Sequence, residues 1–436
     1  MKNLILIFLV LFSSALMAQQ DSASKIPFDG MDLTWINGQT RQKSYPLAFI
    51  DKDTKETILT GMAYLDSYFN YDFSSPIDNT HTISSTIGRS NEFTLNLASI
   101  GIETNYKNII GRVWLQTGNM LNIVQDQDAT VNRGRNTGKD NLKMFREGAA
   151  GYHFNKWYGI NVEMGVFMSY IGLESYVTQE NWCYQRSMIC ESTPFYFSGA
   201  RVQMFPSKKL KTEIWLLNGW QSYNSWNKMI GFGSSTYYRP NENLQLVANF
   251  YLGKDDRQGS TRFHHDNSIV KRYINHPKAK GISQAAFSLN NHYGFQNGAG
   301  IKASEQYLLG CALSNRLWFN QNKMAFTFRS DVMKNPGLYA AFSPSPVTPN
   351  DFTDAIANDP KKNLVVYQQT ATFDIMPNDF MTFRFEYSHR NSNVPYFSGH
   401  SGTTSPDGWI TTPTAGWRPD LKTSDDRLTL AMNFRL

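Results

Sequence analysis

The feature that most constrains this chain is an alternation of apolar and polar residues with a period of two, recurring from about residue 60 to the last residue. In "RLTLAMNFRL", which ends the chain, Leu428, Leu430, Met432, Phe434 and Leu436 are apolar, and Thr429, Ala431, Asn433 and Arg435 between them are small, polar or charged. "AYLDSYFNYDF" sets Leu65, Ser67, Phe69, Tyr71 and Phe73 against Tyr64, Asp66, Tyr68, Asn70 and Asp72. "NEFTLNLAS" sets Phe93, Leu95 and Leu97 against Glu92, Thr94 and Asn96, and "INVEMGVFMSY" repeats the pattern with Phe167 as its one apolar exception. A period of two belongs to a strand with two unlike faces. An apolar face that runs to the final carboxylate is unusual, because chain ends ordinarily fray into polar residues.

The first residues need separate treatment. Lys2, the apolar run Leu4 to Phe12 and the small residues Ser13 to Ala18 predict a secretory signal over residues 1–18, cleaved near Ala18. The apolar run is well short of the ~20 residues of a membrane-spanning helix. The lead-in, residues 19–57, is expected to be a periplasmic segment, a plug or a short approach to the first strand, with residues 58–436 forming one β domain. Aromatics are 14% and charges 18% of the chain, and no later apolar run approaches the ~18 residues of a spanning helix. A transmembrane barrel accommodates that polarity, because its lumen-facing residues cancel its lipid-facing ones in any hydropathy average. The net charge of +6 is scattered and no basic block suggests nucleic acid.

Counting the alternating segments predicts an all-β, antiparallel up-and-down transmembrane barrel of about sixteen strands, with fourteen as the alternative. The segments near Met144 to Phe154 and Phe263 to Ile274 are the weakest of the set. Tight connections around Asn155, Pro206, Pro240, Asn322 and Asn378 contrast with long polar stretches near 119–141, 172–194, 253–262, 334–363 and 391–424. Short turns on one rim and long loops on the other are the asymmetry of outer-membrane barrels. Paired aromatics such as Trp157 with Tyr158 and Trp318 with Phe319 fit interfacial girdles.

Alternation places Arg112, Glu163, Arg201, Glu213, Arg329, Asp331, Arg384, Glu386, Arg390 and Arg435 away from lipid. An Arg or Lys facing hydrocarbon costs about 2–4 kcal/mol at the midplane, so the register turns these residues into the lumen. They are the expected pore-lining set, setting a mixed-charge field across a channel. Cross-strand pairing that merely holds the barrel together is the competing role. Cys183 and Cys190, in the polar "NWCYQRSMICES", are expected to form a disulfide in an exported protein. Cys311 reads as a small buried or lipid-facing hydrophobe. The densest histidine cluster, "FHHDNS", reads as a loop pair in water, since His264 and His265 would point to opposite faces of a strand. No catalytic motif, metal site or cofactor site stands out. The alternatives to a channel are a lipid-acting barrel enzyme or an adhesin that binds through its long loops.

The succession "GMAYLDSYFNYDFSSP" (61–76), "RSNEFTLNLASIGIE" (89–103), "GRVWLQTGN" (111–119), "PFYFSGARV" (194–202), "LLNGWQ" (216–221) and "EYSHRNSNVPYFSG" (386–399) resembles the OmpL-like β-barrel porin family of Gram-negative bacteria. The resemblance implies an outer-membrane barrel acting as a passive channel for small polar solutes or ions, in contact with outer-membrane lipid and lipopolysaccharide. A homo-oligomer is compatible with it. The alternating face of Leu428, Leu430, Met432, Phe434 and Leu436 resembles the C-terminal signal read by the outer-membrane insertion machinery.

Overall fold

A computed structural model of the chain describes residues 25–81, 83–130, 139–225, 229–254, 259–340, 342–359, 361–409 and 416–436. The expected signal sequence lies outside the described residues. Sixteen long strands carry the fold. The first eight are β1 (Thr57–Asp72), β2 (Phe93–Tyr106), β3 (Ile109–Thr117), β4 (Phe145–Phe154), β5 (Ile160–Met168), β6 (Tyr196–Ser207), β7 (Leu210–Leu217) and β8 (Gly231–Asn241). The second eight are β9 (Leu244–Lys254), β10 (Thr261–Asn275), β11 (Ile282–Asn297), β12 (Tyr307–Phe319), β13 (Met324–Pro336), β14 (Asn363–Ile375), β15 (Met381–Ser392) and β16 (Ser424–Arg435). Each pairs antiparallel with its sequence neighbour, and β16 closes the barrel on β1 with Arg427 opposite Asp72 and Arg435 opposite Tyr64. Closure leaves no free edge, which is the only way a sheet can satisfy its backbone in hydrocarbon. The expected antiparallel barrel and its count of sixteen are therefore observed.

The last residues form the seam that their alternation suggested. Asn433 and Arg427 are buried inside while Leu428 and Leu430 are 45% and 49% exposed outside. Ala63 and Leu436 exchange backbone hydrogen bonds at 2.9 Å in both directions, so pairing continues to the final residue. Exposed Ile100, Leu309, Leu313, Phe326, Phe385 and their neighbours extend the same apolar outer face around the barrel. Cys311 is on that face, between buried Gly310 and Ala312. In water such a continuous apolar surface would drive association, and in a bilayer it is the lipid-facing belt.

Turn chemistry divides the two rims. Lys107 and Asn108 join β2 to β3 with φ of 50° and 68°, the left-handed pair that a two-residue hairpin requires. The other rim carries the long connections, including residues 73–92, 118–144, 169–195, 337–362 and 393–423. The chain before β1 lies at the short-turn end. There Phe28 donates its N–H to the Lys208 carbonyl, the Trp35 indole donates to the Glu242 carbonyl at 3.1 Å, and Arg41 reaches the Thr382 hydroxyl at 2.7 Å. Trp35 and Ile36 are buried against Trp182, Trp318 and Met376, so this segment enters the base of the lumen.

Two β-bulges correct the register read from alternation. Asp66 pairs with Leu97 and Ser67 with Leu95, which makes Asn96 an extra residue, and Leu97 is buried inside instead of facing lipid with Leu95. Trp114 pairs with Glu147 and Leu115 with Phe145, leaving Arg146 as the extra residue of β4. A bulge re-aims a side chain that strict alternation would send to the other face. Arg146 and Glu147 accordingly both face inward.

The outer face makes a direct prediction. Leu430→Arg should lower the unfolding free energy in phospholipid vesicles by about 2–4 kcal/mol, followed by tryptophan fluorescence in urea. A change within about 0.5 kcal/mol, ordinary for a surface site, would take this face out of the hydrocarbon.

Candidate pore and constriction

The lumen is divided into two unlike halves. The divider is residues 169–195, the connection from β5 to β6, which folds inward and is buried along most of its length. Its aromatic residues seat it: Trp182 packs edge-on against Trp318, and the Tyr184 hydroxyl donates to Asp66 at 2.9 Å. Gly310 on β12 marks how close the approach is, since a Cβ there would collide with Ile189 of the loop.

Charges on the barrel wall hold the loop's backbone. Arg384 donates to the carbonyls of Thr178 at 2.8 Å, Asn181 at 2.5 Å and Cys183 at 3.1 Å. Glu386 accepts the amides of Tyr184 at 2.6 Å and Gln185 at 3.1 Å. Arg329 donates to the Gln185 carbonyl at 2.8 Å and pairs with Glu174 at 2.7 Å, and Asp331 accepts the Met188 amide at 3.0 Å. Arg390 is committed to the neighbouring loop, donating to the Ile83 carbonyl at 2.7 Å and pairing with Asp425 at 2.8 Å.

These placements correct part of the expected pore-lining set. Arg329, Asp331, Arg384, Glu386 and Arg390 face inward but are each at most 3% exposed, because a folded loop occupies the space that alternation alone leaves to water. The other half of the wall is different. Across β3 to β7, Arg112 bridges Glu147 at 2.5 Å and Glu163 at 2.7 Å, and Arg201 pairs with Glu163 at 2.6 Å. Glu213 then lies between Arg201 at 3.7 Å and Lys211 at 3.1 Å. The side chains of Glu163 and Glu213 are 1% and 2% exposed, while those of Arg112, Arg201 and Lys211 are 16%, 16% and 19% exposed. Glu163 and Glu213 sit beneath while Arg112, Arg201 and Lys211 meet the lumen, and Glu147 lies level with Arg112 at 15% exposed. Phe167, the apolar exception in its strand, faces inward under both guanidiniums, 5.3 Å from Arg112 and 4.9 Å from Arg201. Arg435 belongs to this half as well, paired with Glu180 of the loop.

Among the cavities that border the loop in the described residues are two large ones. One of about 750 Å³ lies toward the long loops, among residues that include His81, Gln127, Thr193, Trp220 and Phe342. The other, about 280 Å³, lies between the loop and the β2–β4 wall, with Glu103, Trp114, Arg146, Glu174, Arg186 and Arg435 in its lining. Sequence reasoning passed over Arg146 and Glu147 because the bulge breaks their pattern, and Glu174 and Arg186 because they lie in the loop.

The expected Cys183–Cys190 disulfide is not the arrangement found: both are separate buried thiols. The loop holds them against different walls. The Cys183 carbonyl is bound to Arg384 on β15, and the Cys190 thiol donates to Asn290 on β11 at 3.4 Å. The histidine pair is also corrected, since it sits in β10 and not in a loop in water. His264 is buried, 3.0 Å from a His292 ring nitrogen and 3.2 Å from the Tyr339 hydroxyl, whereas His265 bonds the Asn249 carbonyl at 2.8 Å. They diverge as adjacent strand residues must. Asp72, His81 and Asp425 bring possible metal-ligating atoms within 4.8 Å of one another. His81 Nε2, however, is contacted by Arg390 at 3.0 Å and Arg427 at 2.5 Å. With Nε2 accepting from the guanidiniums, the ring proton sits on Nδ1, the nitrogen 3.5 Å from Asp72, which then has no lone pair for a cation.

The family description putative beta-barrel porin-2, OmpL-like, matches residues 59–434. The chain belongs to this porin family. The match begins two residues inside β1 and ends one residue before the end of β16, so it covers the barrel described above. The fold is similar to the outer membrane channel DcaP of Acinetobacter baumannii, with a TM-score of 0.51 at 10% identity, covering 89% of this chain and 99% of that one. It is also similar to Pseudomonas putida OprB, with a TM-score of 0.51 at 9% identity over 87% of this chain and 94% of that one. At these identities the likeness is one of fold. No curated protein matches the sequence. Family membership places the barrel in the outer membrane.

The wall-to-loop bonds carry a testable consequence. Breaking a buried, hydrogen-bonded charge costs about 3–5 kcal/mol, so Arg384→Ala should lower stability to urea by that order and expose the loop to proteolysis near Arg186. Wild-type stability together with an uncut loop would remove Arg384 from its anchoring role.

Proposed function

We propose that the chain is a passive conduit for small polar solutes or ions and not a catalyst, with its aqueous path beside the inward loop along β2 to β7. The observation that carries this reading is the contrast within one lumen. Charges on β13 and β15 are spent on the folded loops, while Arg112, Arg201 and Lys211 remain partly open to solvent above the buried Glu163 and Glu213. Side chains of this kind across a narrow passage set a transverse field that selects among solutes. Their arrangement favours anions modestly, since each cation is already partly neutralised by a glutamate. The expected set thus divides: Arg112, Arg201 and Arg435 act at the water-filled side, and Glu163 and Glu213 act beneath it by fixing the guanidiniums.

The closing strand has a second role in this reading. Leu428, Leu430, Met432, Phe434 and Leu436 form the outward face of β16 and are the residues we assign to recognition by the insertion machinery. Their unbroken pairing with β1 up to the terminus supports that assignment, since the same strand must close the barrel.

Planar-bilayer recording of the purified full chain tests the channel reading. Discrete conductance steps are expected, and stable insertion without current would contradict it. Removing one lumen charge changes the interaction with a passing ion by about 0.5 kcal/mol at 8 Å in water. The change has opposite sign for a cation and an anion, so Arg201→Gln should raise the potassium-to-chloride permeability ratio about fivefold, measured as a reversal potential in a salt gradient. An unchanged reversal potential would place Arg201 off the ion path.

A further inference from the structure

Two arginines at the inward loop, Arg146 and Arg186, make no ion pair with a carboxylate among the described residues. Arg146 is the extra residue of the β4 bulge, 6% exposed, with its guanidinium 3.8 Å from the centre of the Trp114 ring. Trp114 can lie flat there because its partner across the ladder is Gly101, where any Cβ would collide with the indole. Arg186, on the loop side, is 2% exposed and lies 4.3 Å from the Phe195 ring. Its Nη2 donates to the Cys190 carbonyl and, at 3.2 Å, to the Thr193 hydroxyl. The Nε atoms of both arginines are buried with no hydrogen-bond acceptor among the described residues.

Both arginines line the cavity of about 280 Å³. The acids that share it are already engaged: Glu147 with Arg112, Glu174 with Arg329 and Glu180 with Arg435. Glu103 accepts the Trp114 indole N–H at 2.9 Å. After these pairings the lining retains two unpaired guanidiniums against one carboxylate that has no cationic partner. An unpaired buried charge is costly unless something satisfies it. A planar guanidinium backed by an aromatic ring presents its remaining donors edge-on, in the geometry that matches a carboxylate.

We propose that this cavity is a docking site for a small organic carboxylate on its way through the barrel, held by Arg146 and Arg186. The inference rests on the channel reading, since the solute must reach the cavity from bulk water. The lining is mainly polar, and Met168, Ile171, Val177 and Phe195 give it a smaller apolar part that can take a short carbon chain next to the carboxylate.

Titration calorimetry of glutarate into the detergent-folded full chain tests the proposal, with folding checked by heat-modifiable gel migration. Saturable binding of glutarate, none of its diamide, and a loss of affinity of about tenfold or more in Arg146→Gln are expected, the range of a charged hydrogen bond. Arg146→Lys, which keeps the charge and loses the fork, should fall between the two and serves where the glutamine variant does not fold. No saturable binding, equal affinity in the folded Gln and wild-type proteins, or phosphate binding as tightly as glutarate would overturn it. Bilayer recording on the same preparation keeps the two readings apart. Current without glutarate binding sinks the docking site alone, and binding without current sinks the channel alone.

Discussion

One attachment organises the interior of this barrel: the backbone of residues 169–195 is hydrogen-bonded to charged side chains of the wall. Arg384 takes three of its carbonyls and Glu386 two of its amides. A loop inside a membrane barrel has unpaired backbone groups that water cannot fully reach, and charged side chains on strands would be equally costly if left alone. Each set satisfies the other. The division of the lumen follows, because the strands that hold the loop cannot also border water.

That division gives two kinds of inward charge different work. On β12 to β15 the charges are structural, and their density reflects the number of backbone groups they serve. On β3 to β7 the charges form a ladder in which Glu163 and Glu213 are buried and the cations reach the lumen. Phe167 supports the ladder from below, and the lead-in around Trp35 closes part of the base, where the Trp182 indole donates to the Trp35 carbonyl at 3.0 Å. The buried pair Arg146 and Arg186 sits at the border between the two halves, one on the wall and one on the loop.

The barrel was legible in the sequence because lipid on one side and polar interior on the other enforce a period of two over every strand. The closing strand is the clearest case, with Leu428 to Leu436 read correctly as the outer face of the seam. Legibility ended where the period did. Asn96 and Arg146 are bulge residues, so strict alternation puts Leu97 on the wrong face and weakens the pattern of the β4 segment. The interior of the lumen was hidden for another reason: alternation says that Arg384 points inward and is silent about what meets it there. "NWCYQRSMICES" reads as a solvated loop because its polar groups are as well satisfied by a charged wall as by water. A signal was present in the aromatic content of that stretch, since Tyr176, Trp182, Tyr184 and Phe195 would gain little in open solvent.

On the channel reading, water fills one side of the lumen and a folded loop fills the other. Cysteine accessibility tests it most directly, using Arg201→Cys and Ser388→Cys separately in a chain whose three native cysteines are replaced, with a small anionic thiol reagent applied to the folded barrel in vesicles. Rapid modification is expected at position 201 on the open wall and protection at position 388, which is fully buried on the strand that carries Arg384 and Glu386. Equal reactivity at both positions, or faster reaction at 388, would contradict it.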